Sequence, residues 1–182
     1  MFGFIVVIVV VLMAWGVVSF NRFIRGRQFM REAWSGIDVQ LKRRYDLVPV
    51  LVKTVKGYRE HERGLFEDIT ETRARCMSTK SVTEKGEAEN ALSRMIRSLF
   101  AVAEAYPDLK ASRNFLDLQR NLTEIENQIQ LERRHYNGTV WNYNIRVESF
   151  PSMLIAGLLR FRRADFFEIE YATEREAPDA KF

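Results

Sequence analysis

Residues 2–20 read FGFIVVIVVVLMAWGVVSF, an apolar run without a charged side chain, and the next charges are all basic: Arg22, Arg25, Arg27 and Arg31. At ~1.5 Å of rise per helical residue, about nineteen residues cover a hydrocarbon core of roughly 30 Å. The run therefore predicts one membrane span. Trp15 and Phe20 lie toward its basic end, where amphipathic rings favour the headgroup level. A cleavable signal peptide would place positive charge before a shorter apolar stretch and end at a small-x-small site. None of these features is present. Positive charge after the span, and none before it, predicts a single-pass membrane protein with its N-terminus outside and its body in the cytoplasm.

The rest of the chain is long enough for one domain with a buried core. Of 28 Lys and Arg residues, Arg22, Arg25, Arg27, Arg31, Lys42, Arg43 and Arg44 stand before residue 45 against only Glu32 and Asp38. The net charge of +4 thus reports a basic collar beside the span, and the chain after Arg44 is slightly acidic. A collar of this kind suits anionic membrane lipids. A nucleic-acid partner would need a basic face on the folded domain and is not expected. A lone cysteine, Cys76, rules out an internal disulfide and a cysteine-based metal cluster.

Beyond residue 21 only four prolines interrupt stretches rich in Leu, Glu, Arg and Gln, which are good helix formers. From Trp34 a 3-4 spacing of apolar residues runs through Ile37, Leu41, Arg44, Val48, Leu51 and Val55 and continues in phase to Tyr58, Glu62, Leu65, Ile69, Thr72 and Cys76. It predicts one rod about 60 Å long. Pro49 falls inside the rod; the phase carries across it, which favours a kinked but continuous helix over a reversal at Asp46–Pro49. A second helix is expected from the Ser81-Val82-Thr83-Glu84 capping-box pattern to Pro107, with Ala88, Leu92, Met95, Leu99, Val102 and Tyr106 on one face. A third runs from about Ser112 to Phe150, with Phe115, Leu118, Leu122, Ile125, Ile129, Glu132, Tyr136, Val140, Tyr143, Val147 and Phe150 inward. Pro151 ends it. Period-two alternation is limited to residues 167–171. The fold class is all-α: a transmembrane helix followed by an antiparallel, coiled-coil-like bundle of three to four long helices. A continuous first helix implies that the third ends at the tip far from the membrane.

The ordered motifs are the span, then AWSGIDVQLKRRYDLVPVLV at residues 33–52, AYPDLK at 105–110, the set Arg134, Tyr136, Asn137, Val140, Tyr143 and Asn144, and finally Phe150-Pro151. In this order they resemble the LemA family of bacterial membrane-anchored helical proteins. The resemblance implies a single N-terminal span, a cytoplasm-facing helical bundle, no established enzymatic activity and a role at the cell envelope. Val50 stands where the family pattern has Asn.

Sites for chemistry are scarce. Glu132 and His135 have the Glu-x-x-His spacing used in di-iron bundles, but a second such pair and two inward carboxylates are missing from the pattern. His61-Glu62 lacks the second His of a zincin helix. No nucleophile motif and no glycine-rich phosphate loop is present. No cofactor or metal is expected, and the chain reads as non-enzymatic. A metal-dependent enzyme built on Glu132 and His135 is the weaker alternative.

Polar residues caught in the seams are more informative: Arg44, Glu62, Glu132, Asn137 and Asn144. A buried charge needs a partner, and single polar seam residues fix register or oligomeric state. Arg44 and Glu62 are about 27 Å apart along a helix, so each looks to another helix or another chain. A second helix shorter than the first would leave Trp34, Ile37, Leu41 and Val48 uncovered, and a membrane anchor confines all copies to one plane. Together these predict a homo-oligomer closed along that seam. The organisation is an anchor (1–21), a basic juxtamembrane segment (22–32), a helical body (33–150) and a C-terminal amphipathic segment with a tail (151–182). Residues 153–163, apolar with a basic flank, are too short to span. They could lie on a membrane surface, dock on a neighbouring subunit or cap the bundle. The function expected is an interaction scaffold or adaptor with envelope protein partners; membrane remodelling through the collar and the C-terminal segment is a further reading.

Overall fold

The computed structural model describes residues 2–57 and 63–168, and all regular structure there is helical: α1 (Phe2–Lys56), α2 (Arg63–Ser78), α3 (Val82–Glu104), a single turn α4 (Pro107–Lys110), α5 (Arg113–Glu148) and α6 (Ser152–Leu158). No strand forms at Phe167-Glu168; the rest of the alternating stretch lies outside the described residues. The chain divides into two compact units, residues 1–39 with 129–166 and residues 40–128 with 167–182.

α1 is one helix of 55 residues that passes through Pro49 without a break. Proline lacks the N–H that would bond the carbonyl four residues back, here that of Tyr45. The Nε–H of Arg73 in α2 donates to that carbonyl at 2.7 Å. The vacancy opened by Pro49 is thereby filled from a neighbouring helix, which fastens α2 alongside α1.

The long seam is shorter than its phase suggested. α1 stops at Lys56, next to Gly57, and α2 starts at Arg63 as a separate helix packed back on α1. Glycine beside the stop lowers helix propensity by about 1 kcal/mol relative to Ala, a penalty that a heptad pattern does not reveal. Ile69 and Cys76 remain buried, so the apolar phase was read correctly even where the rod was not. α3 covers the span expected of the second helix: Ser81 takes the N-cap position with extended backbone, but its side chain makes no capping bond.

In the second unit, Leu41, Val48, Leu51 and Val55 of α1 are buried with Leu92, Leu99 and Ala103 of α3 and Leu122 and Ile125 of α5. In the first unit, Ile37 and Ala33 are buried, and the α5 residues Ile129, Tyr136, Val140 and Tyr143 are buried with them. Two close approaches fix the packing there. A side chain at Gly26 would meet the Tyr143 ring at 3.0 Å, and one at Gly36 would meet the Glu132 carboxylate at 2.5 Å.

These contacts overturn the expected end of the last long helix. Tyr143 packs edge-on against Phe23, and Arg146 donates to the Arg22 carbonyl at 3.3 Å. Phe150 therefore lies beside the apolar end of α1, not at a distal tip. The uncovered stripe is likewise absent: Ile37, Leu41 and Val48 are buried by the chain's own helices, and Trp34 is half-buried with its ring 5.2 Å from that of Tyr136. The physical reason is that α3 is not the sole cover of α1: α5 and α2 also pack on it.

After α6 the chain turns through a Schellman motif, with Phe161 N–H bonded to the Ala156 carbonyl and Arg160 N–H to that of Gly157. Arg160 has φ 55°, a conformation where glycine is usual. Phe161 and Ala156 then close a small core with Phe23 and Tyr143. In the second unit, Phe167 is buried and the Glu168 carbonyl lies where a side chain at Gly86 would come within 2.5 Å.

Candidate functional site

The most polar interior point of the chain is Arg44. It sits on the buried face of α1, in phase with Leu41 and Val48, so the helix directs its guanidinium inward. There one Nη pairs with Glu89 of α3. The other donates to Glu126 of α5 at 2.7 Å and to Ser93 of α3 at 2.8 Å. Tyr45, the next residue of α1, donates its hydroxyl to the second oxygen of Glu89. Arg44 and Glu89 are 1% and 0% exposed, while Glu126 is 23% exposed at the rim. Within this cluster Arg44 Nε lacks a partner; Gln40 Oε1 is the other such buried atom among the described residues.

The electrostatics follow from one guanidinium facing two carboxylates. Burial on its own lowers the Arg44 pKa, but the charges of Glu89 and Glu126 outweigh it and the net shift is upward. Arg44 stays charged. Tyr45 is pushed well up, first by burial and then by the Glu89 charge. Cys76, fully buried nearby, is pushed up to about 12 by burial and then by the Glu89 charge. A thiol held protonated in this way is a poor nucleophile. A hollow of about 190 Å³ touches the rim, bordered by Arg44, Arg97, Phe100 and Glu126.

The remaining sequence candidates lie elsewhere. Glu132 is half-buried over Gly36, while His135, one turn on, is exposed. Among the described residues no three His, Cys, Asp or Glu side chains gather in a metal-binding group. Glu62 is outside the described residues. Asn137 is half-buried. Asn144 is buried and uses both ends of its amide on Ala164, donating at 3.0 Å and accepting at 2.9 Å, so it holds the C-terminal segment and not another helix. Tyr136 donates to the Asp165 carbonyl at 3.1 Å beside it. The collar arginines Arg22, Arg25, Arg27 and Arg31 are exposed. Arg27 also donates to the Tyr143 hydroxyl at 3.4 Å and lies 4.6 Å over the Phe161 ring.

Glu89 and Glu126 were not singled out in the sequence. Glu89 shares the 3-4 spacing of Leu92, Ile96, Leu99 and Ala103, so a buried acid on α3 was readable as the partner Arg44 required. Glu126 follows Ile125 and sits at the rim, where no spacing rule marks it.

An all-helical chain with one long apolar N-terminal helix and a buried arginine paired across helices defines the class of protein. The chain belongs to the LemA family, whose pattern matches residues 33–182. It is 25% identical to Protein LemA of Metamycoplasma hominis over 87% of this chain and 72% of that protein. It is 22% identical to Magnetosome protein MamQ 2 of Paramagnetospirillum magneticum, over 88% of this chain and 68% of the relative. Magnetosome protein MamQ of Magnetospirillum gryphiswaldense is 19% identical, over 81% and 64%.

Proposed function

We propose that this chain is a single-pass inner-membrane protein whose cytoplasmic body, an antiparallel helical bundle, is a non-enzymatic scaffold that assembles with its own copies and with envelope proteins. The observation that carries the reading is a contrast within α1. Its apolar window is only 6% buried by the chain, whereas the following turns bury one face, with Ile37, Leu41, Val48 and Leu51 inside. An apolar helix that the protein itself leaves bare is suited to lipid, and the exposed arginines at its end suit the cytoplasmic headgroups.

Self-association must use a surface other than the seam, because Ile37, Leu41 and Val48 are committed inside one chain. The exposed side chain of Trp141 on α5 is a candidate in the first unit. The test is the mass of the full-length protein in nanodiscs, after cross-linking in native membranes. A multiple of the single-chain mass, reduced by Trp141→Glu, is the expected result. A monomer that cross-links to nothing would overturn the scaffold reading.

A further inference from the structure

The C-terminal turn presents an apolar face that the chain does not cover. Phe150 is 78% exposed and Leu158 77%, and Met153, Leu154 and Leu159 are exposed beside them. Their opposite side is fixed: Ala156 and Phe161 are buried against Phe23 and Tyr143. α6 is thus a short amphipathic helix with its inner face docked and its outer face bare.

Its depth along α1 decides what covers that face. Pro151 and Ser152 border a hollow of about 150 Å³ together with Trp15, Ser19 and Phe23. The Phe161 ring stands 6.0 Å from that of Phe20 and is stacked on Phe23 at 4.7 Å. Trp15 lies five residues inside the apolar run, roughly 8 Å at helical rise. An interfacial helix buries its apolar face about 5–10 Å into the boundary between headgroups and acyl chains. The start of α6 is at that depth if residues 2–20 cross a bilayer.

The charges agree. Arg160 and Arg162 are exposed at the end of the turn, while Arg163 pairs with Glu148 at 2.9 Å. Arg160 holds a left-handed conformation that glycine would adopt at less cost, yet a cation stands there. Basic side chains at the edge of an apolar face favour anionic headgroups.

We infer that the outer face of α6, with Phe150, is a second membrane contact, inserted in the leaflet beside the base of the span and ringed by Arg160 and Arg162. The inference rests on the membrane-span reading above. It makes the base of the molecule a two-point anchor in which the α1–α5–α6 junction cannot swivel on a single helix.

The test uses the full-length Cys76→Ser protein in nanodiscs of phosphatidylethanolamine and phosphatidylglycerol with brominated acyl chains. An environment-sensitive fluorophore is attached in turn at Leu158→Cys, Leu12→Cys and Leu131→Cys. Leu12 lies in the apolar run, and Leu131 is exposed on α5 about 27 Å from the start of the turn at Ser149. The expected result is loss of emission at Leu158 and Leu12 relative to unbrominated lipid, with Leu131 unchanged. Quenching at Leu12 but not at Leu158 would overturn the second contact and leave the span standing. A blue-shifted, unquenched probe at Leu158 would assign the face to a second copy of the chain instead and overturn the lipid contact. No quenching at Leu12 would overturn the span and the contact with it.

Discussion

Arg44 of α1 is held by two other helices, α3 and α5, and its substitutions separate charge from packing. Removing one member of a buried pair leaves the other charged and desolvated, which costs roughly 3 kcal/mol or more. Arg44→Ala strands Glu89 and opens a cavity, so it should lower stability by about that amount in chemical denaturation of the purified protein. Arg44→Met keeps the volume and should cost less. Combined with Glu89→Met, it should recover much of the loss, because no buried charge then remains. Equal stability of wild type and Arg44→Ala would show that the pair carries no energy.

The same cluster sets an alkaline limit. The Cys76 thiol, raised from its ordinary 9.0 to about 12, binds its proton more tightly in the folded protein than in the unfolded chain. Its contribution is complete below pH 9.0 and is lost as pH rises toward about 12. Tyr45 acts in the same direction. Unfolding free energy should therefore fall across this window, and less steeply in a Cys76→Ala, Tyr45→Phe variant. Identical slopes would mean that these two groups are not the source.

Among the elements, α1 and α2 are joined by a backbone vacancy. Because Pro49 frees the Tyr45 carbonyl and Arg73 fills it at 2.7 Å, the two residues should be energetically coupled. Arg73→Ala alone should destabilise by about 1–3 kcal/mol, since it leaves a buried carbonyl unsatisfied. In a Pro49→Ala background the helix supplies its own N–H, and the same substitution should cost less. An additive double-mutant cycle would refute the coupling. This element also marks the reach of the sequence. Phase alone places most apolar residues of α1, α3 and α5 inward and carries α1 through Pro49, but it fails at Phe150, which is expected inward and is exposed because α5 ends before it. Phase has no term for helix length, so the stop beside Gly57 and the return of α2 were not legible. The need of Arg44 for a partner could be read from its seam position, but the choice of Glu89 and Glu126 is made by helices far apart in sequence. Asn144 was recognised as a buried polar residue, yet its partner, Ala164, lies in an extended segment that no periodicity describes.

For the whole molecule, the apolar run, the exposed collar and the Arg44 cluster describe a protein that leaves one apolar helix bare and pairs its buried arginine within the chain. The central claim is that the body stands on the cytoplasmic side of a single span. Leu131→Cys is an exposed thiol on the body, while native Cys76 is buried and held protonated, which leaves little background. Labelling this variant in spheroplasts with a membrane-impermeant maleimide is the direct measurement. Leu131→Cys should remain unlabelled in intact spheroplasts and label fully once they are permeabilised; labelling in the intact spheroplasts would place the body outside and contradict the account.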